Sequence, residues 1–193
     1  MQLVRYAPLA LLVVACAKTA PPEEAAKIVN PHPDLHCPAN TIPAGKAPPQ
    51  GYKVWCHQQI SPGKWVRQGP TITWHDNEER ASEGLYARDR KTGPWQFWYP
   101  TGQPSQQGGF VGGVKDGVWV SYHSDGQRES EGQMVDGKQH GEWNYWAEDG
   151  QTRTVGSWNL GNKDGVWNDF NAEDRAITER VFRSGRLISQ KGL

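Results

Sequence analysis

The sequence predicts an all-β fold, an elongated single-layer antiparallel meander of five 24-residue β-hairpin repeats with a small disulfide-bearing N-terminal cap. Three observations lead to this prediction. Glycines recur at one spacing, each with an aromatic residue five positions later. Asp-Gly pairs stand between short β-prone runs in two of the copies. Finally, 22 glycines and 10 tryptophans among 193 residues suit neither long helices nor a large aliphatic core.

The repeat is defined by four columns of residues with a period of 24. Each marker glycine is followed by an aromatic at the fifth position and, in four copies, by a second glycine at the fifteenth. The markers are Gly69, Gly93, Gly117, Gly141 and Gly165, the aromatics Trp74, Trp98, Tyr122, Trp146 and Phe170, and the second glycines Gly84, Gly108, Gly132 and Gly156. Two residues further on stand Tyr86, Phe110, Met134, Trp158 and Phe182. The repeats therefore span residues 69–92, 93–116, 117–140, 141–164 and 165–188.

Each repeat is predicted to be one hairpin. Asp125-Gly126 and Asp149-Gly150 lie between the two runs of their copies. An Asp-Gly pair favours a type I′ turn, which needs positive φ at both central positions. A glycine-rich connection such as residues 137–141 then leads to the next hairpin. Five repeats give ten strands.

The turn position sets the register of each hairpin. It pairs a tryptophan with the second glycine of the same repeat: Trp95 with Gly108, Trp119 with Gly132 and Trp143 with Gly156, while Trp167 continues the column. An indole lying across a glycine on the facing strand fills the space of the missing side chain. Strand alternation places Phe110, Met134 and Trp158 on the same face. It places Trp74, Trp98, Tyr122, Trp146 and Phe170 on the other face, as a candidate binding surface.

The two ends depart from the repeat, as terminal copies of an array do. The first copy has Thr71 and Asp89, and the last has Asp174 and Arg180, where other copies have tryptophan or glycine. Before the array, residues 37–68 form the predicted cap, and residues 52–58 alternate like a strand that pairs with the first hairpin. Residues 189–193 are assigned to a tail.

The first fifteen residues are predicted to be an export signal. Arg5 precedes an apolar stretch too short to span a bilayer, and the stretch ends at Ala15-Cys16. Residues 13–16 resemble a bacterial lipobox, so Cys16 is predicted to be the lipidated N-terminus of the mature protein; the alternative is an ordinary cleaved signal peptide. The resemblance to bacterial lipoproteins implies a sorting rule in which Ala17, rather than aspartate, after the cysteine favours the outer membrane, with the chain in the cell envelope facing periplasm or exterior. Residues 16–36 are predicted to be a disordered tether.

Export would place the two other cysteines, Cys37 and Cys56, in an oxidising compartment, so they are expected to form a disulfide. The alternative is a metal site that includes His32, His36 and His57, but the spacing follows no known zinc pattern. His75, His123 and His140 are predicted to be solvated turn residues.

Charge and motifs argue against several classes of function. With 21 basic and 21 acidic residues, no electrostatic case exists for nucleic acid. Neither catalytic residues nor a cofactor or metal site is predicted, because no carboxylate pair, Ser–His arrangement or phosphate-binding loop occurs.

Over roughly residues 63–188, the succession of these glycines and aromatics resembles the bacterial variant of MORN repeats, some of which are labelled as antitoxin components. The resemblance implies a scaffold, a protein-binding surface or a lipid-associated module. It leads to the principal hypothesis, a non-catalytic envelope lipoprotein that binds another envelope protein. An antitoxin-like immunity role against an exported toxin is a further alternative. Self-association is expected if the sheet edges are free.

A second resemblance supports a different class of function. Residues 141–146, 149–150 and 156–158 are similar to hairpins of choline- and glucan-binding cell-wall modules, which bind ligand between aromatics of adjacent hairpins. The fixed period of 24 and the spacing of glycine and tryptophan depart from that family. A glycan- or choline-binding module is therefore the second hypothesis.

Overall fold

The structure is a computed structural model that describes residues 32–193. Within this range it consists of one 13-stranded antiparallel sheet in which every strand pairs with its neighbours in sequence. The strands are β1 (Ile42–Lys46), β2 (Lys53–Ser61), β3 (Lys64–Trp74), β4 (Arg80–Ala87), β5 (Arg90–Trp98), β6 (Pro104–Val111), β7 (Val114–Tyr122), β8 (Arg128–Val135), β9 (Lys138–Trp146), β10 (Arg153–Asn159), β11 (Asn162–Phe170), β12 (Ala176–Arg183) and β13 (Arg186–Gly192). The predicted all-β meander is confirmed. No helix that could cross a membrane occurs in the described part.

The type I′ turns lie at the connections between repeats, so their predicted position at Asp-Gly is wrong. Positive φ occurs at both central residues of five tight turns: Arg88-Asp89, Gly112-Gly113, Asp136-Gly137, Leu160-Gly161 and Ser184-Gly185. At the Asp-Gly pairs, by contrast, only Gly126 and Gly150 have positive φ. These loops are wider because Asp125 folds back, and its Oδ1 accepts the N–H of Gln127 at 2.9 Å.

A bulge at the start of each repeat explains the marker glycines. Gly108 pairs with Trp119, but the next residue, Gly109, pairs with Asp116, so Gly117 and Val118 are extra residues on β7 relative to β6. The same shift occurs at the other three connections within the array. Gly117 has φ +83°, a conformation that glycine adopts without steric cost.

The predicted register is confirmed, but the predicted direction of the indoles is wrong. Trp119 pairs with Gly132 in its own hairpin and with Gly108 of the preceding repeat. Its ring lies over Gly108, where an added Cβ would be 2.6 Å from the indole Cγ. Its Nε1 donates to the Gly109 carbonyl at 3.0 Å, at the bulge. The indoles therefore join successive repeats rather than the two strands of one hairpin.

The same arrangement recurs along the array. In each case the indole covers the second glycine of the preceding repeat and donates to the carbonyl one residue after that glycine. The tryptophan, glycine and carbonyl sets are Trp95, Gly84 and Leu85; Trp143, Gly132 and Gln133; Trp167, Gly156 and Ser157.

One face of the sheet, which we call the indole face, carries these four tryptophans. Trp119 is only 2% exposed, because aromatic and methionine neighbours pack against it along the sheet. As predicted, Phe110 and Met134 lie in this cluster and Trp158 packs against it. The central core of the sheet is thus a row of side chains on one face.

The N-terminal cap has its own small core on the other face, which we call the reverse face. Leu35, Val54, Cys56 and Ile72 are buried together, and the Cys37–Cys56 disulfide closes the cap with a Cα–Cα distance of 5.5 Å. Leu35 is 1% exposed, although it falls in the predicted tether, so ordered structure begins before Cys37.

Strands also occur at both ends where none was predicted. β1 lies inside the disulfide loop and pairs with β2, and β13 takes up most of the predicted tail. β2 pairs with β3, as expected for the cap strand. The predicted leader, Cys16 and tether residues before 32 lie outside the described residues.

Candidate binding sites

The five aromatics predicted as a binding surface lie in a row on the reverse face. Each is half-buried, and each stands at the end of a strand beside the wider loops: Trp74, Trp98, Tyr122, Trp146 and Phe170. Trp74 packs against the cap cluster and lies 5.0 Å from the His32 ring. The Arg153 guanidinium lies 4.6 Å over Phe170. Because each ring is partly buried, the row is not a continuous open platform.

The loops beside this row are tied together by hydrogen bonds between repeats. His75 Nε2 donates to the Trp98 carbonyl at 2.9 Å, and His123 Nε2 donates to the Trp146 carbonyl at 2.8 Å. Between them, the Tyr99 hydroxyl donates to the Tyr122 carbonyl at 2.7 Å. The prediction that His75 and His123 are solvated is therefore wrong. His140 is exposed.

The reverse face also carries a groove of about 710 Å³ across β3 to β6. Its apolar wall is formed by Pro70, Ile72, Leu85 and Pro94, and Asp34 of the N-terminal segment borders it. Gln96 and Gln107, which are paired across β5 and β6, add amide donors and acceptors along its length. The groove thus combines an apolar wall with amide groups that can donate and accept hydrogen bonds.

On the indole face, a row of cations lies over the rings. Lys91 Nζ is 4.1 Å from the Trp95 ring centroid, and Lys115 Nζ is 3.7 Å from that of Trp119. Lys163 repeats the arrangement over Trp167 at 4.1 Å. Burial lowers the pKa of all three lysines from the usual value, and for Lys91 the neighbouring cation Lys115 lowers its pKa further.

Sequence reasoning missed this row, although its signal was available. Lys91, Lys115 and Lys163 occupy one column of the 24-residue period, with Gln139 and Leu187 as the exceptions. Register places each lysine directly opposite the aromatic or methionine column, for example Lys115 opposite Phe110. The ammonium group of each lysine therefore lies over an indole ring, within cation–π distance.

This row bears on the choline hypothesis. A quaternary ammonium ligand needs open aromatic ring faces to form cation–π contacts. The four indoles are buried, and the chain's own lysines lie over three of them. The indole face therefore offers no free aromatic cage at these positions.

Within residues 32–193, no group of three His, Cys, Asp or Glu side chains is placed to hold a metal ion. Cys37 and Cys56 are joined to each other, so neither is available as a thiolate ligand.

Comparison with known proteins agrees with the repeat geometry. The MORN repeat variant family matches residues 91–111 and 115–136, which are the β5–β6 and β7–β8 hairpins with starting points 24 residues apart. No curated protein matches the chain. Repeats of this family are generally non-catalytic modules that bind proteins or membranes. Two of the hairpins of this chain are thus similar to MORN repeats of the variant type.

Proposed function

We propose that this chain is a non-catalytic envelope lipoprotein whose repeat sheet binds another protein through the groove on its reverse face. The observation that supports the proposal most directly is that groove, with an apolar wall from Pro70 to Pro94 and paired amides at Gln96 and Gln107. The partner's binding segment is expected to be extended and to place apolar side chains against Leu85 and Pro94.

The construction of the sheet supports a binding role. The bulges and the indole contacts fix each repeat against the one before it, so side chains on the reverse face keep set positions relative to one another. A surface that is ordered before binding loses less conformational entropy when a partner docks.

A photo-crosslinking amino acid placed at Leu85 tests the proposal in the native cell envelope. We expect it to capture one defined protein. A probe at Val166 is the matched control, because Val166 is also an exposed apolar residue of the sheet (47%, against 39% for Leu85) but lies outside the groove. Equal capture at both positions, or recovery of glycan alone, would contradict the proposal. If the captured protein is an exported toxin, the binding role is that of an immunity protein.

The envelope location rests on residues 13–16, which precede the described structure. We propose that Cys16 is lipidated and anchors the chain in the outer membrane. Cys16→Ser should abolish incorporation of labelled fatty acid and release the protein from the membrane fraction. Retention of label in the variant would contradict this anchor.

We also propose that two copies pair through β13. All seven residues of this terminal strand are exposed, including Leu187 and Ile188, whereas Pro43 and the positive-φ Gly45 interrupt the opposite edge, β1. Ile188→Lys should reduce dimer formation in sedimentation experiments, and Ile60→Lys, at a similarly exposed site on β2, should not. A monomer at every soluble concentration of the wild type would contradict this pairing.

A further inference from the structure

Departures from the repeat converge in one place on the indole face. Gln139 replaces the column lysine, and Tyr145 stands where the second repeat has Phe97. Arg180 replaces the second glycine of the last repeat. Trp158, Lys163 and Trp167 complete a groove of about 360 Å³ between β9 and β12. No other part of the described array combines these residue types.

The polar groups around this groove act mainly as hydrogen-bond donors. Trp158 Nε1 donates to the Tyr145 hydroxyl at 2.7 Å, and Gln139 Nε2 donates to it at 2.9 Å. Two donors occupy both lone pairs of the phenol oxygen, which leaves its O–H as a donor. Lys163 and Arg180 contribute only donors as well.

Positive charge exceeds negative charge at the groove. Asp169 is the acidic partner of Arg180, and it also accepts the Thr154 hydroxyl at 2.8 Å. Lys163 forms no salt bridge with any residue in 32–193, and the Arg180 Nε has no hydrogen-bond partner there. Burial lowers the pKa of Lys163 and the nearby positive charge of Arg180 lowers it further, while the carboxylate of Asp169 opposes these effects only in part. A bound anion would relieve this repulsion.

The groove also has a flat apolar wall. Trp158 is only partly buried, and its ring meets that of Trp167 edge to face with a centroid distance of 5.4 Å. A sugar ring has an apolar C–H face that can cover exposed indole surface and a polar rim that needs hydrogen-bond partners. The hydrogen-bond donors and cations beside Trp158 therefore suit a sugar ring that also carries a negative charge.

We propose that the groove formed by Tyr145, Trp158, Lys163 and Arg180 binds a carboxylate-bearing sugar residue. Lys163 and Arg180 hold the carboxylate, Tyr145 donates to a ring substituent, and the sugar face packs on Trp158. This site lies on the indole face, whereas the proposed protein-binding groove lies on the reverse face. Failure of either proposal therefore leaves the other intact.

Titration with glucuronate tests the site in the mature full-length chain, with two-dimensional NMR signals of the Trp158 indole N–H as the readout. Glucose and acetate are the comparison probes, because the first has the ring without the charge and the second the charge without the ring. We expect glucuronate to bind at least about tenfold more tightly than either, since it alone uses both the cations and the indole. Equal affinity for acetate, or no shift with millimolar glucuronate, would overturn the proposal.

Two glutamine variants separate this site from the general charge of the face. Lys163→Gln should weaken glucuronate binding about tenfold, as loss of a charge-assisted hydrogen bond does. Lys115→Gln is the matched control, because Lys115 covers Trp119 in the same way but has no arginine beside it. Equal weakening in both variants would show diffuse attraction and overturn the assigned site. Unchanged indole signals of Trp119 and Trp143 would confirm that each variant is folded.

Discussion

The second glycine of each repeat is required because the next repeat's indole occupies the space where its side chain would lie. A Cβ at Gly132 would overlap the ring of Trp143, and the ring itself is 5% exposed and cannot move outward without losing its packing. The marker glycine is required for a different reason. A Cβ at Gly141 would meet no atom within 4 Å, but the residue has φ +69°.

These two causes predict different costs for the same substitution. Gly132→Ala should lower the free energy of unfolding by about 3 kcal/mol, at the upper end of overpacking effects, because the obstacle is a buried ring. Gly141→Ala should cost about 1 kcal/mol through backbone strain alone. Chemical denaturation of both variants checks the order. A larger loss for Gly141→Ala would show that the indole contact does not fix the second glycine.

At this scale the sequence predicted which residues pair but not where the indole points. Trp119 has a glycine on each neighbouring strand, Gly108 and Gly132, so spacing alone cannot choose between them. The bulge determines the direction of the indole, because it brings the Gly109 carbonyl within 3.0 Å of the indole Nε1. The two extra residues of the bulge, Gly117 and Val118, cannot be recognised in the sequence except through the marker glycine itself.

At the scale of elements, turns and bulges alternate along the sheet. Tight type I′ turns connect repeats, while wider loops close each hairpin and are joined by His75, Tyr99 and His123. The Asp-Gly signal located a loop correctly but not its type, because the aspartate carboxylate stabilises the loop without positive φ at Asp125. β1 was missed because it contains proline and glycine.

The stability of the N-terminal cap should be independent of the stability of the repeat array. Replacing Cys37 and Cys56 with alanine should cost about 3 kcal/mol in the chain-entropy description of a loop of this length. The loss should appear as faster amide hydrogen exchange in β1 and β2, while protection in β7 to β10 is retained, because each repeat contacts only its neighbours. Equal loss of protection along the whole sheet would contradict this independence.

For the whole molecule, the sheet forms by addition of equivalent units rather than around a closed core. Pairing is consecutive from β1 to β13, and the buried tryptophans belong to one face. The period therefore predicted the fold. The groove at Lys163 and Arg180 could not be predicted from the sequence. Gln139 and Arg180 are 41 residues apart in sequence, and they line the same groove only once β9 to β12 are in register.

Deletion of one whole unit should be tolerated. Removing residues 117–140 brings Trp143 onto Gly108, so every type of contact is kept and the shortened chain should fold with a lower denaturation midpoint. Removing residues 117–128 deletes one strand and loses the tryptophan–glycine match. Near-ultraviolet circular dichroism should show ordered tryptophans in the first variant and not in the second. Loss of order in both would argue against an additive array.

The contact between an indole and the glycine of the preceding repeat underlies the fold, and nuclear Overhauser effects measure it directly. The ring protons of Trp119 should show strong effects to the Hα protons of Gly108, which the ring current should shift upfield, and weak or absent effects to those of Gly132. Strong effects to Gly132 instead, or to neither glycine, would contradict the account.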